Sequence, residues 1–396
     1  MALYATTLLI SLVVVAGGVS LVTLQMAGRR LQDNIETGEQ SFLLTRSGLE
    51  WALAYIDTEP NWRSVMTSGA ATTLEIPDAG SLTVVISDDD GDLADCDTDP
   101  VTISVAADVS GARRGIELTA GPAPHPVLSY AVFADTSIRL KHAIMHGPAY
   151  ARDTILADRY IDTEDNGSFS VPSGGWIDWW LEPQDEDAES VDKPAIDVNY
   201  FVGLGTLVLV GTVDNDVLKR VNLTPTDNTQ GTPNALGIYY ADIGNRDLEI
   251  KDLHVKGTLI VRGSGGNKVE LKKGCWFEPA GYGYPALIID VPGGKVHFMM
   301  DRTLNEDTDL PVDFNEDGDM VDVIGSSVSG LVWTEADETI IKGNGWQFTG
   351  CLIGDYVEVD DDIVLDDDPG LAVQLIPQFT DGKLHVSEGS IRETTP

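Results

Sequence analysis

The sequence predicts an α+β, mainly β chain: one long N-terminal helix followed by two β regions of different kinds. Three observations predict it. Residues 1–28 carry no charge, and the predominantly apolar stretch from Leu3 to Leu24 is long enough to span a bilayer as a helix. A helical apolar stripe continues past that stretch. Beyond residue 70 the chain turns to short β-branched runs separated by Gly, Pro and Asp clusters. At 396 residues the chain is long for one domain. We divide it into a transmembrane or assembly helix at 1–57, a small antiparallel β domain at 58–125, and a parallel β-solenoid-like domain at 126–396. Insertions are expected at about 160–235 and 300–323.

The stripe consists of Leu31, Ile35, Phe42, Leu49, Leu53 and Ile56, spaced 4, 7, 7, 4 and 3 residues. Asp57-Thr58-Glu59-Pro60 ends it, because proline cannot continue a helix. A rod of about 55 residues is roughly 80 Å long. Its first half is apolar all round, which suits packing among other helices, through Leu3, Leu8, Leu9, Leu12, Val15, Gly17, Gly18, Leu21 and Leu24. Gly17-Gly18 lies mid-span, where the helix is expected to unwind most readily. Arg29 and Arg30 follow the apolar run directly. The positive-inside rule would then keep the acidic β regions in the cytoplasm. A basic leader preceding Met1 and since removed resolves the conflict.

Met1-Ala2-Leu3 leading into the apolar run, and Ser41-Phe42-Leu43-Leu44-Thr45-Arg46-Ser47-Gly48-Leu49-Glu50-Trp51-Ala52-Leu53-Ala54, resemble the N-terminal region of PilX-type minor pilins of the type IV pilus. The resemblance covers about 55 residues. It implies a filament subunit that sits in the inner membrane before assembly, is processed by a prepilin peptidase, and joins copies of itself or other pilins through the assembly machinery. One position departs from the pattern. Most pilins carry glutamate at the fifth mature position, and this chain has Ala5, which is reminiscent of subunits at a filament tip.

Residues 73–76, 81–86, 101–105 and 113–118 read as four short strands, a sheet for the amphipathic half of the helix to rest on. Gly121-Pro122-Ala123-Pro124-His125-Pro126 reads as a stiff linker. In the larger region an apolar residue, a variable one, glycine and an apolar strand recur around Gly147, Gly257, Gly330 and Gly350. Gly330 and Gly350 are 20 residues apart, the length of one solenoid coil. The run Gly237-Ile238-Tyr239-Tyr240 through Gly257-Thr258-Leu259-Ile260-Val261 to Pro285-Ala286-Leu287-Ile288-Ile289 resembles the right-handed β-helix domain of some long PilX-like pilins. The first insertion holds Trp176, Trp179, Trp180 and Tyr200.

Two acidic loops point to calcium, which takes about six to eight oxygen ligands. In 313–322, Asp313, Asn315, Asp317 and Asp319 alternate around Gly318, as in an EF-hand loop, but the twelfth position is Ile324; Asp322 is the substitute ligand. In 87–99, Asp88, Asp90 and Asp92 are the candidates. Asp360–Asp362 and Asp366–Asp368 read as a solvated strand edge that blocks aggregation. Of three cysteines, Cys275 and Cys351 form the disulfide pair to test, against burial as small apolar residues. Asn166-Gly167-Ser168 and Asn222-Leu223-Thr224 fit the glycosylation pattern.

With 64 acidic and 25 basic residues the net charge is −39, which repels nucleic acid and anionic lipid. Copies also repel each other, so assembly needs salt or bound cations. There is no G-x-S-x-G, HExxH or P-loop, and the few basic residues form no cluster in sequence. The reading is therefore a non-enzymatic subunit of an extracellular pilus-like filament. A tip adhesin or initiator is the alternative, and a membrane-anchored carbohydrate-active enzyme a weaker one.

Overall fold

The computed structural model describes residues 2–59, 61–77, 79–158, 161–163, 167–209, 217–281, 283–301, 303–307, 312–343, 345–361, 363–387 and 389–394, with side chains from residue 19. The chain divides into two units, 1–122 with 382–396, and 123–381. The last residues, expected in the solenoid domain, thus belong with the helix.

In the first unit, helix α1 runs unbroken from Ala2 to Thr58, through Gly17-Gly18, and is about 85 Å long. Strands β1 (Ala71–Ile76), β2 (Gly80–Ser87), β3 (Val101–Val109) and β4 (Ala112–Pro124) form an antiparallel meander in that order. The C-terminal strands Thr380–Val386 and Arg392–Thr394 both add beside β4. Strict alternation along β3 places Val101, Ile103, Val105 and Ala107 in the core against Leu49, Ala52 and Ile56 of α1.

The second unit is three parallel ladders around one apolar interior. The first ladder links Thr206–Leu207, Ile238–Gly244, Thr258–Gly263, Leu287–Asp290 and the later part of Ser327–Glu335. It continues through the middle of Gln347–Val359 to Val132–Leu140, Pro148–Ala151, Ser168–Pro172 and Gln184–Ala188. The second and third ladders follow the same succession of coils. Gly330 and Gly350 pair directly, which confirms the 20-residue coil.

The order of coils in space is not the order in sequence. The first coil of the chain, at Val132, stacks on the last, at Leu352. From residue 132 the chain winds outward to 188. Residues 189–205, including the helix Val198–Leu204, then return along the outside to the far end. From Thr206 the chain winds back to the start. Residues 160–235 are therefore not one insertion: they supply coils at both ends and the return segment.

The return segment covers the outer side of the first ladder. Val191, Val198 and Phe201, with Leu371, Ile376 and Phe379, bury Phe133, Tyr150, Ile260, Ile288 and Ile353 in a second apolar layer. Burying one such Phe contributes about 2–3 kcal/mol. The run Ile363–Asp366 pairs on both sides, with 347–349 and 143–145, so it is an interior rung and not the expected edge.

Cys275 and Cys351 are free thiols, each fully buried, in different apolar layers. The expected disulfide is corrected by geometry. Register through Phe277, Val328 and Phe348 puts the two cysteines two strands apart, roughly 10 Å across the sheet alone, and offset along it. A disulfide needs Cα atoms within about 7 Å.

Candidate functional site: the helix surface and two acidic loops

Residues of α1 divide into a docked face and a bare one. The docked face is Ser41, Thr45, Gly48, Leu49, Ala52 and Ile56, all buried. Small residues let the helix approach the sheet: a Cβ at Gly48 would sit 2.7 Å from Val105 Cγ1. Ser41 Oγ donates to Ala107 O at 3.1 Å, and Thr45 Oγ1 lies 2.8 Å from Ser41 O and 3.3 Å from Arg114 O. The stripe expected from sequence splits here. Leu49 and Ile56 are buried, but Leu31 (63% exposed), Ile35 (54%) and Phe42 (37%) are left bare by the sheet. Leu21 and Leu24 are exposed as well. Leu3, Leu8, Leu9, Leu12, Val15, Gly17 and Gly18 lie outside the described side chains. Among the described residues no helix is long and apolar enough to cross a membrane.

The first acidic loop follows β2. Its convergent carboxylates are Asp88, Asp90 and Asp95, with oxygens within 4.8 Å of one another. Asp92 is not among them; its Oδ1 accepts from Ala94 N at 3.2 Å. Asp88 Oδ1 accepts from Ser68 Oγ and Gly91 N, while its Oδ2 is shielded from solvent and has no partner. Burial, then a bond with Asp90 and the neighbouring charges, pushes the Asp95 carboxyl above its ordinary value. Arg63 ties down the rest of the loop by donating to the carbonyls of Leu93, Cys96 and Asp99 at 3.4, 3.1 and 2.6 Å.

The second acidic loop is closed at its base by the antiparallel pair Thr303–Asn305 and Val323–Gly325, which takes Ile324 into a strand. Its convergent carboxylates are Glu306, Asp319 and Asp322. Sequence reasoning missed Glu306, which lies outside the D-x-N-x-D-G-D pattern and is brought in only by the strand pair. Glu306 is fully buried. Its Oε1 accepts from Phe314 N (2.6 Å) and Asn315 N (3.3 Å), and its Oε2 from Asp322 N (3.2 Å). Asp313 turns both oxygens to Asp317 N and Gly318 N. Asn315 Nδ2 donates to Asp317 and Asp322. The backbone N–H of Asp319 holds the Asp317 carboxyl below the usual range. Phe314, fully buried beneath the Arg220 guanidinium at 5.4 Å, anchors the loop; Arg220 also donates to the carbonyls of Asn305 and Glu306.

Both loops present hard oxygen donors, one with an orphaned buried carboxylate oxygen, and this donor set fits calcium better than a softer metal. Asn222 is fully buried and bonded to Asp227 and His254, so it is no glycan acceptor. Asn166 lies outside the described residues.

The basic residues, scattered in sequence, converge on the outer side of the second ladder. Lys219, Lys251 and Lys272 stack in register, beside the stacked Glu249 and Glu270. Glu249 accepts from Lys251 and Lys272 at 2.8 and 3.2 Å, and Lys272 also meets Glu270 at 2.8 Å. Lys141–Glu358, Arg139–Asp158 and Lys295–Glu338 extend the same side. Arg139, Lys141, Lys251, Lys272 and Lys295 are each spent on a neighbouring carboxylate.

No protein-family model matches the chain, and no curated protein is similar to it. Among solved structures it is similar to the competence-associated pilin ComZ from Thermus thermophilus, at 12% identity and a TM-score of 0.24, over 90% of this chain and 98% of that one. It is also similar to a glycosylated ice-binding protein (LeIBP) from an Arctic yeast, at 10% identity and a TM-score of 0.27, over 62% and 94%. An ice-binding protein from the Antarctic ascomycete Antarctomyces psychrotrophicus follows at 10% identity and 0.21, over 61% and 96%. At these scores the likenesses carry no argument. The first unit stands on its own geometry, a long helix laid by its second half on an antiparallel sheet.

Proposed function

We propose that this chain is a structural subunit of an extracellular type IV pilus-like filament. Helix α1 packs among the helices of other copies or other pilins, and the two β units are displayed outside. The observation that carries this reading is the division of α1. Its small-residue face is taken by its own sheet, while Leu21, Leu24, Leu31 and Ile35 remain bare on a helix too long for the sheet to cover. Large apolar side chains exposed in a row ask for a partner of the same kind. The resemblance to PilX-type minor pilins adds a stay in the inner membrane and processing by a prepilin peptidase before assembly. No reaction is assigned to the chain. The coils are proposed to wind right-handed, as parallel crossovers do almost without exception.

Electron microscopy of surface fibres tests this. Ile35→Glu should abolish filaments while leaving the β units folded. A full-length protein that stays monomeric in detergent, on cells without fibres, would end the reading. Ala5 favours a second version, a tip subunit acting as adhesin or initiator. Antibody labelling confined to fibre ends would select it, and labelling along the fibre would exclude it. Calcium at Glu306, Asp319 and Asp322, and at Asp88, Asp90 and Asp95, is proposed as the means by which so acidic a chain holds its loops. Each ion would replace carboxylate repulsion with attraction.

A further inference from the structure

One end of the coil stack lies at residues 168–188. Trp176–Ile177 pairs with Thr154–Ala157, and Gln184–Ala188 with Ser168–Pro172. Among the described residues no further parallel rung covers their outer edges. The turn between them holds three indole rings in water: Trp176 is 48% exposed, Trp179 81% and Trp180 36%. The turn is held firmly. Ile177 and Leu181 are buried beside the exposed rings. Asp178 O accepts from Leu181 N and Gln184 Nε2 at 2.9 and 2.8 Å, and Asp178 Oδ2 accepts from Ala157 N at 2.7 Å. Guarding an open edge against aggregation explains carboxylates there, but not tryptophans. Large rings displayed together on a fixed turn ask for a partner.

Charge selects that partner. Residues 160–192 hold ten acidic side chains and no Lys, Arg or His. Glu182, Asp185 and Glu186, which follow the tryptophans directly, are all exposed. Arg152, in the coil beneath, is already held by Asp135 and Asp192 at 2.8 and 2.9 Å. Nucleic acid, anionic lipid and a second copy of this chain, with its net charge of −39, are repelled from such a surface. A calcium ion answers the carboxylates and leaves the rings bare. A neutral sugar answers the rings and leaves the carboxylates repelling one another. A guanidinium or ammonium group answers both, because carboxylates pair with it and the face of tryptophan attracts it more than any other ring. We propose that this end of the coil stack docks a basic, arginine- or lysine-bearing segment of another protein, with its cations over Trp176, Trp179 and Trp180 and against Glu182, Asp185 and Glu186. The site stands whether or not the chain forms filaments.

Isothermal titration calorimetry on the full chain in non-ionic detergent tests it, with tetra-arginine as the probe. The same peptide with citrulline for arginine keeps the shape, removes the charge and should bind at least about tenfold more weakly. Trp179→Ala leaves the net charge unchanged and should weaken tetra-arginine binding about tenfold, as loss of an aromatic anchor does. Asp185→Asn with Glu186→Gln should weaken it to a similar extent. Trp179 is exposed, so its replacement leaves the fold intact; an unshifted thermal transition of the coiled unit checks this, and Trp180→Ala serves if it shifts. A chain this acidic attracts any polycation, so tetra-arginine binding unchanged in the tryptophan variant means unspecific attraction and overturns the proposal. So does absence of binding, or a citrulline peptide or short glucose oligomer that binds as tightly as tetra-arginine.

Discussion

Replacing Gly350 by alanine should destabilise the coiled unit far more than the same change one coil away at Gly330. The two glycines are register partners at one corner of the stack. Gly350 has φ +146°, and a Cβ there would lie 2.1 Å from Gly330 O, where contacts under 3.0 Å do not occur. The neighbour is backbone, so relief requires the two coils to part by about 1 Å in a ladder with a repeat of about 4.8 Å. Gly330 has φ +97°, and its Cβ would meet nothing nearer than Ala286 Cβ at 3.5 Å. Backbone strain at either site costs about 1–3 kcal/mol. The overlap at Gly350 adds about 1–3 kcal/mol more. For a unit of this size each kcal/mol lowers Tm by about 2–4 °C. Gly350→Ala is thus expected to lower the transition of the coiled unit by roughly 10 °C, and Gly330→Ala by about half as much. Differential scanning calorimetry separates the transitions of the two units. A Gly350→Ala protein no less stable than Gly330→Ala would refute the idea that corner glycines are kept for close stacking.

The ladder of lysines and glutamates should give the coiled unit an acid limit. Burial, the largest influence on Glu270, acts upward, but bonds from Lys268 and Lys272 outweigh it and hold the carboxyl below its ordinary 4.5. A carboxyl depressed in the folded state adds stability that is complete above the unfolded value and is lost as pH falls through the folded one. Glu270→Gln should therefore narrow the stability gap to wild type as pH drops below about 4.5, and a gap constant with pH would contradict the linkage. Burial pushes the Cys275 thiol up to about 12 and Cys351 upward as well, so native protein should react with Ellman's reagent at Cys96 alone, and at all three cysteines once unfolded. Mobility unchanged by reductant should accompany this. Chelation should lower the Tm of wild type, and Glu306→Gln should abolish that response at the second loop. No response in wild type would remove calcium from the proposal.

Much of the first unit was legible because its pattern is local. Pro60 sets the end of α1 within two residues, and period-two alternation marks β1 and β2 within two residues of their bounds. But β3 and β4 run four and six residues past their expected ends, and β4 takes residues 121–124 of the expected linker into the sheet. Which face of α1 docks was legible only over its last turns, where Leu49, Leu53 and Ile56 of the stripe meet the core. Hydrophobic periodicity selects large residues, whereas the sheet is met by Ser41, Thr45 and Gly48, chosen for closeness. Glycine corners at 20-residue spacing betrayed the coils, since that too is a local signal. Glu306 and the lysine ladder were invisible for the opposite reason. Lys219, Lys251 and Lys272 are neighbours only across strands, at right angles to the chain.

The order of the coils exposes the limit of reading a solenoid along its sequence. A stack of coils needs only that each rung find a neighbour in register; it does not need that neighbour to be next in the chain. Here the rung at Val132 waits for Leu352, 220 residues later. Closing so long a loop costs about 5 kcal/mol of chain entropy before any contact is made. The seam returns that through the length of its own ladder, from Val132–Leu352 to Leu140–Val359, and through the return segment that binds Phe133, Ile260 and Ile353 under one apolar cover. A simple solenoid frays from its ends, but this one has its first and last coils in its middle. Loss of either opens the stack at its centre, so the arrangement converts a linear array into a unit that holds or fails as a whole.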